Sequence, residues 1–99
     1  MLRHVVSFKL TADDREEKAA QAAEISRRLD ALIPLIPEVR QLSLGVDTGE
    51  TTGNWDIVLV ADYDDAAALD AYQTHPEHQK VAAFIRSLAS ARSCVDFSL

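Results

Sequence analysis

The strongest constraint on the fold is an unbroken apolar run, IVLVA, at residues 57–61. A short run of this kind predicts a strand that is covered on both faces, and we place it at residues 55–63. The helices that we predict below cover only one face of the sheet, and a domain of 99 residues is small. We therefore expect a second copy to cover the other face, which predicts a homodimer joined through the sheet face.

Alternation of apolar and polar residues predicts three further strands. In the first of them, His4, Val6 and Phe8 share one face. All three glycines lie in residues 45–54, and the latter part of this segment predicts a hairpin loop between the second and third strands. The three further strands lie at residues 2–10, 39–47 and 92–99.

Apolar spacings of three and four residues predict three helices. The first helix begins at a capping box formed by Thr11 and Asp14 and ends at Pro34 and Pro37. Its apolar side consists of Ala22, Ile25, Leu29, Leu32, Ile33 and Ile36. The other two helices lie at residues 66–74 and 76–90, and Pro76 suits the first position of the last one.

The resulting order, β-α-β-β-α-β, predicts a ferredoxin-like α+β fold, an antiparallel sheet with helices on one face. Residues 1–99 contain no repeat or linker and are expected to form one domain. The net charge of −6 argues against nucleic-acid and anionic-membrane partners, because no basic stripe could displace counterions from phosphates. The single cysteine and the lack of a signal-like or membrane-spanning apolar run predict a cytoplasmic location.

The segment from Tyr72 to His78 is the main candidate for chemistry, because Tyr and His move protons near neutral pH. Counting from Pro76 places His78 on the apolar stripe of its helix, and His4 also faces inward. These two histidines belong either to a functional cavity or to a satisfied core, and the pattern favours neither. His75 precedes the proline and is more typical of a helix cap.

Other candidate groups give weaker signals. Asp96 faces away from Val95 and Phe97, so its carboxylate either orients an imidazole or faces solvent. His75 and His78 could share a metal, but no third ligand joins them, so we predict no metal site. No glycine-rich phosphate loop is present, and we expect no cofactor.

Several segments together resemble the stress-responsive A/B barrel (Dabb) domain family. They are the strand RHVVSFK at residues 3–9, the pair Ile33-Pro34, the strand WDIVLVADY at residues 55–63, the motif His-Pro-x-His at residues 75–78 and the triplet Val95-Asp96-Phe97. The resemblance covers nearly the whole chain. It implies a ferredoxin-like α+β fold whose dimer forms a β-barrel at the interface.

One branch of that family, the olivetolic acid cyclase branch, closes polyketides by aldol condensation without cofactor or metal. Similarity to this branch implies that Tyr72 and His78 are the catalytic acid and base, and that Asp96 is the carboxylate partner of His78. It implies a substrate-binding pocket formed by His4, Val6, Phe8 and Leu59. Where that branch has pocket aromatics, this chain has Ala22, Ser26 and Ala89, which argues against a long alkylated polyketide as substrate.

Three functional hypotheses follow. The first is a homodimer with a pocket for a small apolar or polyketide-like ligand, without an assigned activity and related to stress. The second is a cofactor-independent cyclase or lyase in which His78 takes a proton and Tyr72 donates one to the developing oxyanion. The third is a cofactor-independent monooxygenase-like enzyme, because such enzymes also use small dimers of this shape.

Overall fold

The computed structural model describes all 99 residues, and its elements follow the predicted order. The four strands form one antiparallel sheet in the order β2-β3-β1-β4, which confirms the ferredoxin-like fold class. The elements are β1 (Leu2–Leu10), α1 (Arg15–Asp30), β2 (Gln41–Val46), β3 (Ile57–Tyr63), α2 (Ala66–Thr74), α3 (Pro76–Leu88) and β4 (Ala89–Ser98). None of the helices combines the length and the apolar character that crossing a bilayer requires.

The beginning of α1 differs from the prediction. The backbone N–H of Glu17 donates to the carboxylate of Asp14 at 2.8 Å, so Asp14 is the N-cap. The predicted capping box is therefore wrong. The backbone N–H of Thr11 donates to the carbonyl oxygen of Leu88 at 2.8 Å, which ties this loop to the end of α3 instead.

The end of α1 also lies earlier than predicted. The helix ends at Asp30, four residues before Pro34, because a proline ring clashes with the carbonyl four residues earlier. Turns follow, and in them the helical spacing no longer decides which side chains face inward. Leu32 and Ile36 are buried as predicted, but Ile33 is 41% exposed and does not belong to the apolar side.

The last strand begins three residues before its predicted start. β4 pairs with β1 along nearly its whole length, from Ser98 opposite Leu2 to Ala89 opposite Leu10. A shift in register between Lys9 and Leu10 accommodates the first residues of the strand. The ladder thus extends to the residue that follows α3, which ends at Leu88 rather than near Ser90.

The hydrophobic core lies between the helices and the inner face of the sheet. The predicted alternation of β1 is confirmed, since Val6, Phe8 and Leu10 are buried on this face. The core residues from the other elements include Ala22, Ile25, Leu29, Ile57, Leu59, Ala61, Tyr63, Leu69, Tyr72, Val81 and Ile85. His4 is buried among them at 3% exposure, because its strand places it on the same face.

The outer face of the sheet carries apolar side chains that no other element of this chain covers. Cross-strand partners share a face, and the register aligns Val60, Val5 and Val95 in one row. We call the group Val5, Val58, Val60, Val95 and Phe97 the outer sheet face. Val95 is 60% exposed, whereas Val58 and Val60 are half-buried. The two apolar sides of β3 therefore meet different surroundings.

Replacing Asp14 with Ala should lower the free energy of unfolding by about 1 kcal/mol, because the Glu17 N–H loses its acceptor. Thr11→Ala is the matched control and should change it by less than about 0.5 kcal/mol, since the Thr11 side chain is exposed. Urea denaturation followed by circular dichroism measures both values. A larger loss of stability for Thr11→Ala than for Asp14→Ala would support the predicted capping box and contradict Asp14 as the N-cap.

Candidate functional site

A cavity of about 210 Å³ lies between the inner face of the sheet and α3. All four residues predicted to form a substrate pocket line it, namely His4, Val6, Phe8 and Leu59. Its other lining residues are Leu29, Gln73, His78, Ala82, Ile85, Arg86 and Arg92. The cavity therefore has an apolar floor with two imidazoles and two guanidinium groups around it. Whether the predicted residues bind a ligand stays a prediction.

The corner between α2 and α3 positions His78 at this cavity. His75 caps α3, because its Nδ1 accepts a hydrogen bond from the backbone N–H of Glu77 at 3.1 Å. The predicted cap is thus confirmed. Pro76 begins the helix, and this sharp turn leaves the rings of Tyr72 and His78 with centroids 4.2 Å apart.

The hydrogen bond of His78 fixes the position of its ring proton. Its Nδ1 lies 3.2 Å from the carbonyl oxygen of Gln73, which can only accept, so Nδ1 carries the hydrogen. The lone pair then lies on Nε2. Burial lowers the pKa of His78, and the positive charges of Arg86 and Arg92 lower it further against the Gln73 hydrogen bond. The imidazole is therefore mainly neutral at pH 7 and can accept a proton.

Asp96 contacts His4 and not His78. The family resemblance implies that Asp96 orients His78, but the β1–β4 register sets Asp96 directly opposite His4 on the inner face. The Nδ1 of His4 lies 2.5 Å from Oδ1 of Asp96, and the carboxylate accepts its hydrogen. The expected pairing with His78 is therefore corrected. Asp96 fixes the tautomer of a different imidazole in the same cavity.

Tyr72 lies behind the cavity lining and is 1% exposed. Its hydroxyl is buried without a hydrogen-bond partner, and so is that of Tyr63, whose ring centroid lies 5.2 Å away. Burial raises the pKa of Tyr72 to about 12, so the phenol keeps its proton at neutral pH. Its predicted role as a proton donor stays a prediction.

Sequence reasoning missed Tyr63, although alternation along β3 contained the signal. Tyr63 shares the parity of Leu59, which puts it on the inner face. It is fully buried and links the two candidate rings, with its centroid 6.4 Å from that of His4 and 5.2 Å from that of Tyr72. A row of four neighbouring rings thus connects the two histidines, in the order His4, Tyr63, Tyr72 and His78.

Arg86 and Arg92 were also missed as lining residues. Arg86 lies two helical turns after His78 on α3, a spacing that returns to the same face. Arg92 shares its strand face with Asp96. Both arginines are exposed at the edge of the cavity.

A possible ligand set for a metal lies beside this cavity. Ligand atoms of His4, Cys94 and Asp96 all lie within 4.8 Å of one another, a mixed donor set of the type that zinc accepts. However, Nδ1 of His4 is already held by Asp96 at 2.5 Å. Burial and the Asp96 charge also raise the pKa of the Cys94 thiol, which a metal must deprotonate. The absence of a metal site stays a prediction.

A second cleft, of about 320 Å³, lies between α1 and the β2–β3 loop. It is larger than the His4–His78 cavity but lacks histidine, and one ion pair, between Lys18 and Asp56, lies in its lining. Lys18 donates to Asp56 at 3.0 Å, and the same carboxylate accepts the backbone N–H of Leu10. These contacts indicate a structural role for Lys18 and Asp56.

Comparison with known families gives one match over almost the full chain. The profile of the Stress responsive A/B Barrel Domain family, Dabb, matches residues 2–99. No curated protein sequence matches the chain.

Solved structures with the same fold include two proteins that are described as dimeric. The first, from Thermobifida fusca, is 31% identical, with a TM-score of 0.83 over 99% of this chain and 90% of that chain. The second, from Bacteroides fragilis, is 28% identical, with a TM-score of 0.86 over 99% and 95%. Hydroxynitrile lyase from Passiflora edulis is 13% identical, with a TM-score of 0.81 over 99% and 92%, and shares the fold alone.

His78→Asn should reduce the acid sensitivity of the fold. Because the pKa of His78 is lowered, the folded chain binds fewer protons than the unfolded chain once the pH falls below about 6.5. Wild-type stability should therefore decrease from pH 7.5 to 5.5, and the variant should lose less. Urea denaturation at both pH values measures the difference.

Gln79→Asn is the control for this experiment, because Gln79 is the exposed neighbour on the same helix and does not titrate. It should reproduce the wild-type pH dependence. An identical loss in His78→Asn and wild type would show that the imidazole does not titrate as inferred.

Proposed function

We propose that this chain, which belongs to the stress-responsive A/B barrel domain family, is a homodimer that binds a small molecule in the His4–His78 cavity. Residues 1–99 are proposed to act as a single domain. The observation that carries the proposal is the cavity itself, in which two imidazoles with fixed tautomers border an apolar floor. Binding pockets typically combine such a floor with a few polar groups in fixed positions.

The size of the cavity favours a small ligand. Its volume of about 210 Å³ is below the ~300 Å³ at which pockets for drug-sized ligands begin. The floor formed by Val6, Phe8 and Leu59 suits an aromatic ring or a short aliphatic group. A long alkylated polyketide would exceed this space.

The outer sheet face supports the homodimer. Val95 and Phe97 are 60% and 43% exposed on a face that has no helix, and a second copy would remove both from water. The structures from Thermobifida fusca and Bacteroides fragilis are described as dimeric. Sheet-to-sheet contact would also leave the inner cavity of each subunit separate from the interface.

Cofactor-independent proton transfer is a second candidate function, and the state of His78 favours it. The lowered pKa keeps Nε2 unprotonated at pH 7, where it can take a proton from an acidic C–H or O–H group. In this proposal Asp96 acts through His4, and Tyr72 remains the proposed proton donor. Proton transfer by a positioned side chain typically contributes about 10²- to 10⁴-fold in rate. The monooxygenase-like alternative stays a prediction that oxygen consumption with an electron-rich phenol tests.

Ligand binding can be tested by nuclear magnetic resonance of the histidine rings. A set of monocyclic phenols, ketones, amides and acids should include compounds that shift the imidazole signals of both His4 and His78. Ala82→Phe should abolish these shifts, because Ala82 lines the cavity and the ring would fill it.

Ala83→Phe is the matched control, since Ala83 is the adjacent residue on the exposed side of α3. It should leave the shifts unchanged. Shifts that persist in Ala82→Phe, or a set without any compound that perturbs both rings, would overturn the proposed site.

The homodimer can be tested with a charge in the outer sheet face. The wild type should sediment at twice the chain mass of 10.9 kDa, and Val95→Lys should weaken the dimer by roughly tenfold or more. Leu35→Lys is the control, because Leu35 is 52% exposed in the turns after α1, away from the sheet. A monomeric wild type, or an equally stable dimer in Val95→Lys, would contradict the proposed interface.

A further inference from the structure

Two arginines at the His4–His78 cavity lack carboxylate partners. The chain has ten Lys and Arg residues, of which six pair with carboxylates: Arg3, Lys18, Arg27, Arg28, Arg40 and Lys80. Arg15 donates to the carbonyl oxygen of Thr48. Arg86 and Arg92 form no ion pair, although the net charge is −6 and acidic residues outnumber basic ones. Lys9, Arg15, Arg86 and Arg92 are thus the basic residues without a carboxylate partner. Two of them, Arg86 and Arg92, line the same cavity of about 210 Å³.

The two guanidinium groups come from opposite walls of the cavity. Arg86 lies on α3, and Arg92 lies on β4 opposite Phe8, which forms part of the floor. The inner-face carboxylate on β4, Asp96, is occupied by its 2.5 Å contact with His4. The charges of both arginines reach His78, where they contribute to its lowered pKa. The polar rim is therefore positive, while the floor is apolar.

We propose that the ligand of this cavity is a small organic anion whose carboxylate or phosphate group lies between Arg86 and Arg92. Its apolar body lies on Val6, Phe8 and Leu59, next to Nε2 of His78. A guanidinium group binds such anions through two parallel hydrogen bonds, which makes arginine suited to this task. The inference rests on the proposed small-molecule function and specifies its ligand class.

Benzoate and benzamide provide the test, because they have the same shape and differ in charge. Titrations followed at the His4 and His78 ring signals should give a dissociation constant roughly tenfold lower for benzoate than for benzamide. Phenyl phosphate should bind as an anion too, and its constant relative to benzoate identifies the preferred group. Added salt should weaken benzoate binding more than benzamide binding.

Arg92→Gln and Arg86→Gln should each weaken benzoate binding by roughly tenfold and leave benzamide unchanged. Both side chains are exposed, so the fold should persist, and circular dichroism checks it. Arg92→Lys is a second variant that should recover part of the affinity by restoring the charge. Lys9→Gln is the control, since Lys9 is an exposed residue without an ion pair, outside the cavity lining, and gives the same change in net charge.

Equal affinities for benzoate and benzamide would overturn the anion proposal while supporting the small-molecule site. A preference for benzoate that survives in both Arg→Gln variants would also overturn it. If neither compound shifts the histidine signals, the anion proposal fails, and the independent comparison of Ala82→Phe with Ala83→Phe decides whether the cavity binds other ligands.

Discussion

Strand β1 is paired on both edges, and its register determines what the rest of the molecule can be. The ladder with β3 sets His4 opposite Ala61, and the ladder with β4 sets it opposite Asp96. A shift of this register by one residue would turn His4, Val6 and Phe8 to the outer face and remove their side chains from the core. The hydrophobic core and the polar groups of the cavity therefore depend on the same set of backbone hydrogen bonds.

The two imidazoles of the cavity donate to different hydrogen-bond acceptors, and this difference makes the two sides of the site chemically distinct. A full negative charge holds the Nδ1 hydrogen of His4, whereas a neutral carbonyl group holds that of His78. His78 also lies on the side of the cavity that carries Arg86. The sheet wall thus carries both Asp96 and Arg92, whereas the helix wall carries Arg86 without a carboxylate, and an unsymmetrical ligand would bind in one orientation.

Local patterns in the sequence were sufficient for the fold and for the faces of its elements. Alternation in residues 2–10 identified the inward residues, because the side-chain period of a strand does not depend on its neighbours. Likewise, Pro76 identified the corner that brings Tyr72 to His78. The partner of Asp96 could not be found this way, since His4 lies 92 residues away and only the strand register brings them together. The same holds for the cluster with Cys94 and for Arg86 facing Arg92 across the cavity.

The pairing of β1 with β4 has a consequence for how the molecule acquires its site. The contact between His4 and Asp96 closes a loop of almost the entire chain. Contacts between such distant positions are slow to form, because the entropy of a long loop is lost before the contact stabilises the chain. Helices and the β2–β3 hairpin can form from local segments, but the cavity is complete only after the two ends of the chain have met. Functional competence should therefore appear late in folding, together with the last ladder of the sheet.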